Sequence, residues 1–203
     1  MKNSWIVAIV MSSLFFLLNG AAQAEKEKVV SVKNKYGGKT VEITYEKGDE
    51  FGDEYSVEKE IAYYDSKGNK VMAEMSRTDG YANEIGASKS IVHFYSNGVR
   101  KRLADISTDK YASEKGESKK IYSFNSDGNL TKVETFYTDK FSDIKGYNKV
   151  ISYFLDKEIF KLELFYTDKA AKTQGYNKEI RHRAGGELLM VEYFMNDRLI
   201  KIK

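Results

Sequence analysis

Apolar and polar positions alternate in short runs along most of this chain. Val133-Glu134-Thr135-Phe136-Tyr137 and Ile121-Tyr122-Ser123-Phe124 are typical, and β-branched and aromatic residues fill them. Such runs, bounded by turn formers, favour strands over helices. Asp127-Gly128, Asn97-Gly98 and Gly37-Gly38 suit two-residue type I′ hairpin turns, with positive φ at both central residues. A turn centred on Asp127-Gly128 pairs Phe124 with Thr131, Tyr122 with Val133, Ile121 with Glu134 and Lys119 with Phe136. The longer stretch from Thr138 to Gly146 reads as a loop or one helical turn ending at the glycine.

The same unit recurs about five times. Gly38, Gly68, Gly98 and Gly128 fall thirty residues apart, and a step of twenty-nine then gives Lys157 and Gly186. Asp49, Asp79, Asp109, Asp139, Asp168 and Asp197 keep this register. So do Phe51, Tyr81, Tyr111 and Phe141, with Ala170 in the fifth copy, and Gly86, Gly116, Gly146 and Gly175, with Ser56 in the first. Lys59, Lys89, Lys119, Lys149 and Lys178 form another column, and Ile61, Ile91, Ile121, Ile151 and Ile180 another. So many columns in one register indicate a structural array. The expectation is an all-β antiparallel meander, two strands per repeat, in a single curved sheet or barrel. First strands fall near 39–46, 69–76, 99–107, 129–137, 158–166 and 187–195. Second strands fall near 57–64, 88–95, 117–125, 147–155 and 176–183. Lys28-Val29-Val30-Ser31-Val32 opens the array as a twelfth strand, and Arg198 to Lys203 adds a short edge whose lysines discourage pairing.

The two faces differ. Ile43, Met75, Val92, Phe94, Leu103, Tyr122, Phe124, Val133, Leu162, Leu164, Val191 and Tyr193 mark the expected core face. The opposite face mixes the Lys and Ile columns with Glu74, Glu134, Glu163 and Glu192. Toward the C-terminus it becomes more apolar through Leu130, Phe136, Ile159, Phe165, Leu188 and Phe194.

The N-terminus changes the picture. Lys2, the apolar run Trp5 to Leu18 and Ala22-Gln23-Ala24 have the order of a secretory signal peptide. The run is shorter than the roughly 20 residues a spanning helix needs. Residues 1–24 are therefore read as a cleaved signal and 25–203 as one β-repeat domain, exported to the periplasm or the exterior, with no transmembrane segment after cleavage. Of the 33 lysines and arginines, one, Lys2, lies in the signal, so 32 cations face 30 carboxylates in the remainder. That balance lacks a nucleic-acid footprint. The chain has no Cys, so the sheet itself must supply the core. It also has no Pro, which agrees with strands that all donate backbone N–H groups.

Tyr64-Asp65-Ser66-Lys67-Gly68-Asn69, and Ser126-Asp127-Gly128-Asn129-Leu130 followed by Glu134, resemble YD repeats and the related MORN-type repeats of bacterial surface proteins. The resemblance spans most of residues 30–195, although the unit here is longer. It implies hairpins strung into an extended sheet, a scaffolding or binding role, and no catalytic residues.

Candidate chemistry is limited. Each Thr-Asp loop has two or three carboxylates, as in Asp49, Asp53 and Glu54 or Asp139 and Asp143, against the six to eight oxygens calcium takes. Neighbouring loops stand roughly 10 Å apart, so Thr-Asp reads as a cap. His93 and His182 share a column but lie six strands, roughly 29 Å, apart, too far to ligate one zinc. No cofactor or enzyme signature is present. Two readings of the lysine column stay open. It tracks an anionic envelope glycan, or it is a solvated face neutralised by Glu74, Glu134 and Glu163, diagonal to Lys59, Lys119 and Lys149. The resulting expectation is a non-enzymatic envelope protein binding a protein or glycan partner. The alternative is a carrier holding a lipid-like ligand on the apolar C-terminal half, at Phe136, Phe165 and Phe194.

Overall fold

Each alternating run forms a strand, and each strand pairs with its neighbours in the sequence. The computed structural model describes residues 26–45 and 57–203. The expected signal segment, and the first Thr-Asp loop with Asp49, Phe51, Asp53, Glu54 and Ser56, lie outside the described residues. The strands are β1 (Lys26–Ser31), β2 (Gly37–Thr44), β3 (Val57–Asp65), β4 (Lys70–Arg77), β5 (Ala87–Phe94), β6 (Arg100–Ser107) and β7 (Glu117–Phe124). They continue with β8 (Leu130–Tyr137), β9 (Tyr147–Leu155), β10 (Glu158–Tyr166), β11 (Lys178–Ala184), β12 (Glu187–Met195) and β13 (Arg198–Ile202). All thirteen form one antiparallel sheet in chain order. β1 and β13 are its two edges, so the sheet is a meander and does not close into a barrel.

Most of the expected hairpin register holds. Lys119 pairs with Phe136, Ile121 with Glu134 and Tyr122 with Val133. The turn itself differs. Gly128 N–H donates to Asn125 O (3.0 Å) and Asn125 N–H to Asn129 O (3.0 Å), enclosing three residues. Gly128 has φ +83°, whereas Asp127 does not have positive φ. This is the three-residue turn that ends in a left-handed glycine, not a type I′ turn. The Asn125 carboxamide oxygen accepts from the Asp127 and Asn129 N–H groups and rigidifies it. Gly68 and Gly98 close equivalent turns.

In the first turn the left-handed residue is Gly37 (φ +89°), one place earlier than the Gly38 column. Gly38 meets a different demand. A β-carbon there would lie 2.0 Å from Asp65 O, so a neighbouring turn presses directly on its backbone. From β9 onward the turns shorten. Asp156-Lys157, Gly185-Gly186 and Asn196-Asp197 have positive φ at both residues. These are true two-residue type I′ turns, and the residue lost accounts for the twenty-nine-residue step.

Beside the hairpin turns each pair carries a bulge, which moves side chains between faces. Leu130 pairs with Phe124, Ile159 with Phe154 and Leu188 with Arg183. Cross-strand partners share a face, so these three residues lie on the face opposite Phe136, Phe165 and Phe194. The expected contiguous apolar C-terminal face is thereby corrected: it is split across the sheet.

At the other end of the sheet the Thr-Asp loops are short helices: α1 (Asp79–Ile85), α2 (Asp109–Lys115), α3 (Asp139–Lys145) and α4 (Asp168–Gln174). Thr108 and Thr167 cap theirs by accepting the N–H of Tyr111 and Ala170, and all four helices end on a left-handed glycine. Successive copies are tied together here. Thr108, Thr138 and Thr167 donate N–H to the carbonyls of Gly86, Gly116 and Gly146.

A buried cluster sits on the expected face, and Met72, Ala104, Ile121 and Ile151 are buried on the opposite one. Val57, Met75, Val92 and Leu103 form the cluster, with Tyr45, Phe94, Tyr122 and Phe124 packed against it. Ile43, Leu164 and Val191 are also buried.

Candidate binding face

On the face opposite the core, strand pairing lines side chains into rows that cross the strands. One row reads Lys59, Ser76, Lys89, Ile106, Lys119, Phe136, Lys149, Phe165, Lys178, Phe194. All eight candidate ligand-binding residues therefore fall in a single line. The lysine column and the phenylalanines interleave because second strands supply one and first strands the other. The adjacent row alternates carboxylate and isoleucine: Glu74, Ile91, Ala104, Ile121, Glu134, Ile151, Glu163, Ile180, Glu192.

In the C-terminal half each lysine lies over phenylalanine rings. Lys149 Nζ is 5.1 Å from the ring centroid of Phe136 and 5.2 Å from that of Phe165, and Lys178 Nζ is 4.9 Å from that of Phe194. Lys119 Nζ is 5.9 Å from that of Phe136. These are cation–π distances. The rings hold the ammonium groups in line along the row.

The carboxylates pair with these lysines, but with the preceding strand and not the following one. Lys59 bonds Glu42 at 2.9 Å, where Glu74 was expected, and Glu74 takes Lys89 instead. Lys149 bonds Glu134 at 3.0 Å, and Glu134 also takes Lys132 at 2.8 Å. Glu163 takes Lys161 at 2.9 Å. The Lys89 ammonium holds the Glu74 carboxyl below the usual range, assisted by the Tyr63 hydroxyl. Burial pushes Glu134 up, yet its two lysines outweigh it and leave the carboxyl low.

Both halves of the face carry more cations than carboxylates. Glu42 and Glu74 pair with Lys59 and Lys89 one to one, while Lys28 and Arg102 stand on the same face. Farther along, Glu134, Glu163 and Glu192 share their face with Lys119, Lys132, Lys149, Lys161 and Lys178, three carboxylates against five lysines. Lys119 has no carboxylate partner among the described residues, and Lys178 reaches only the exposed Asp197 at 3.7 Å. Compared with the models of known protein families and with curated proteins, the chain matches none.

The core face carries polar groups that the repeat columns do not reveal. Three carboxylates each bind a tyrosine hydroxyl and a cation: Glu60 with Tyr45 (3.2 Å) and Lys70 (2.7 Å), Glu117 with Tyr111 (3.2 Å) and Lys120 (2.7 Å), and Glu179 with Tyr166 (2.7 Å) and Arg181. Glu60 and Glu179 are buried, and these bonds satisfy them. Tyr137, Tyr147, Tyr166, Tyr176 and Tyr193 follow one another edge to face, with centroids 4.6–6.2 Å apart. Burial pushes the Tyr137 hydroxyl up to about 12.

The two histidines stay far apart, on β5 and β11. Burial lowers His93, while His182 meets Glu192 at 2.8 Å. Among the described residues no three His, Asp or Glu side chains gather as metal ligands. Among the described residues one concavity lies between α1 and α2 and another on the core face beside Lys70, Phe94 and Arg100. Neither is lined by Leu130, Phe136, Ile159, Phe165, Leu188 or Phe194, so neither is the cavity that would support a lipid carrier.

Proposed function

We propose that this is an exported, non-enzymatic β-repeat protein of the cell envelope that binds an anionic glycan or protein along the lysine–phenylalanine row. The C-terminal half of that row is the main contact. Export rests on Lys2, the apolar run and Ala22-Gln23-Ala24. The observation that carries the binding reading is the excess of two lysines over carboxylates between Lys119 and Lys178, on residues aligned at two-strand intervals of roughly 10 Å. An extended anion laid across the strands meets Lys119, Lys149 and Lys178 in turn, while Phe136, Phe165 and Phe194 position them.

Retention on an acidic polysaccharide column, measured against salt, tests this. Wild type elutes late and at a salt-dependent position. Lys119→Gln, Lys149→Gln and Lys178→Gln shift elution stepwise earlier, whereas Lys59→Gln and Lys89→Gln shift it less because Glu42 and Glu74 each already neutralise one of them. Salt-insensitive elution of wild type ends the glycan reading. Equal shifts from both halves remove the role of the C-terminal excess.

A further inference from the structure

The edge strand β13 carries cations and no carboxylate of its own. Among the described strands it pairs with β12, through Glu192↔Ile202, Tyr193↔Lys201 and Phe194↔Leu199. Lys203 exchanges both backbone bonds with Val191, at 2.9 and 2.8 Å. Backbone groups alternate direction along an antiparallel strand, so Ile202 turns its N–H and C=O away from β12. All five residues of β13 are exposed, with Leu199, Ile200 and Ile202 at 45%, 49% and 56%. Arg198 and Lys203 meet no carboxylate among the described residues, and Lys201 lies 5.9 Å from the Tyr193 ring centroid. Three cations and three apolar side chains thus flank a backbone edge that meets no further strand among the described residues.

We propose that the β13 edge is a docking site for an extended acidic segment of a partner protein, which adds to the sheet as a further strand. Main-chain bonds to Ile202 hold such a segment, alternate side chains set its specificity, and acidic residues answer Arg198, Lys201 and Lys203. Leu199 and Ile202 share the face of Phe194 and Glu192, so apolar residues of the incoming strand continue that face. A second copy of this chain is disfavoured as the occupant. β13 against β13 sets cations against cations, and the opposite edge, β1, carries Lys28 and a lysine at 26 around the single Glu27. The site lies beyond the last lysine of the row and does not depend on glycan binding.

The test is a titration of the isotopically labelled protein with a synthetic peptide alternating Glu and Val over seven residues, followed by backbone amide NMR. The expected result is shift changes confined to β12 and β13, at least about tenfold slower hydrogen exchange at Ile202, and weakening with salt. The same peptide with Lys for Glu does not bind. Ile202→Pro abolishes binding while the other amides stay in place, since proline is tolerated at an outward edge position. Lys201→Glu with Lys203→Glu gives an independent variant that keeps the backbone and weakens binding. No protection at Ile202, equal binding of the lysine peptide, shifts that map instead to the Lys119–Phe194 row, or a β13-mediated dimer in sedimentation each overturns the proposal.

Discussion

The ring of Phe141 occupies the space where a β-carbon on Gly116 would lie, 1.9 Å from the ring's Cγ. Tyr111 stands in the same relation to Gly86, at 2.2 Å. Gly175 has the same left-handed backbone, φ +81°, with nothing within 4 Å. The three sites separate backbone strain from packing. Gly175→Ala is expected to cost about 1–2 kcal/mol, the left-handed penalty alone. Gly116→Ala adds an overpacking cost of about 1–3 kcal/mol. Denaturant midpoints of the two variants measure the difference, and equal midpoints would mean that the aromatic stacking contributes nothing.

Turn chemistry gives a pair of opposite effects. Gly128 sits at φ +83° with only Val99 near its absent side chain, at 3.8 Å. Gly128→Val is expected to destabilise by about 1–3 kcal/mol through strain in the turn. Lys157 already sits at φ +68° without being a glycine. Lys157→Gly is expected to stabilise by up to about 1 kcal/mol, the relief of left-handed strain less the added chain entropy. Thermal melts of both variants supply the check.

The Glu74–Lys89 pair predicts a pH dependence. Glu74 titrates below its ordinary value in the folded protein. A depressed carboxyl contributes stability that is present above the unfolded value, near 4.3, and that disappears as pH falls through the folded value. Glu74→Gln should therefore lie below wild type in Tm at pH 7 and converge with it on acidification below about pH 4. A constant gap across that range contradicts the assignment.

Asp105 has the opposite sign. Burial pushes its carboxyl up, against the hydrogen bond it accepts from the Ser90 hydroxyl. Its protonated form suits the fold, so that contribution is full below the unfolded value and is lost as pH rises through the raised folded one. The Tm of Asp105→Asn, relative to wild type, should rise with pH above about 4. A difference that falls with pH would show that Arg77, Arg100 and Lys120 govern this carboxyl more than burial does.

The repeat columns carried the meander, the strand count with its edge strand, the hairpin partners and the core face, because each depends only on alternation and spacing. What they missed has physical causes. A bulge consumes one residue without a composition of its own, so Leu130, Ile159 and Leu188 were placed on the wrong face. Gly37-Gly38 offers two glycines for one left-handed position, and only the approach of Asp65 distinguishes them. Seven-residue helices such as Asp109–Lys115 are too short to show a helical period. Lys59 has a glutamate diagonal to it on both sides, and spacing alone does not choose between Glu42 and Glu74. The tyrosine–carboxylate pairs Tyr45–Glu60, Tyr111–Glu117 and Tyr166–Glu179 span 15, 6 and 13 residues, so no column contains them. The single row formed by the lysines and phenylalanines was legible in principle, since Lys119 and Phe136 were already paired.

Because the thirteen strands lie in chain order, no strand waits for a distant partner. Folding can begin at any hairpin and spread to both sides, with little loop entropy to overcome at each step. Stability then accumulates by nearest-neighbour increments. Tension applied to the two edges peels the sheet one strand at a time, so such a protein yields gradually under load where a closed barrel would break all at once.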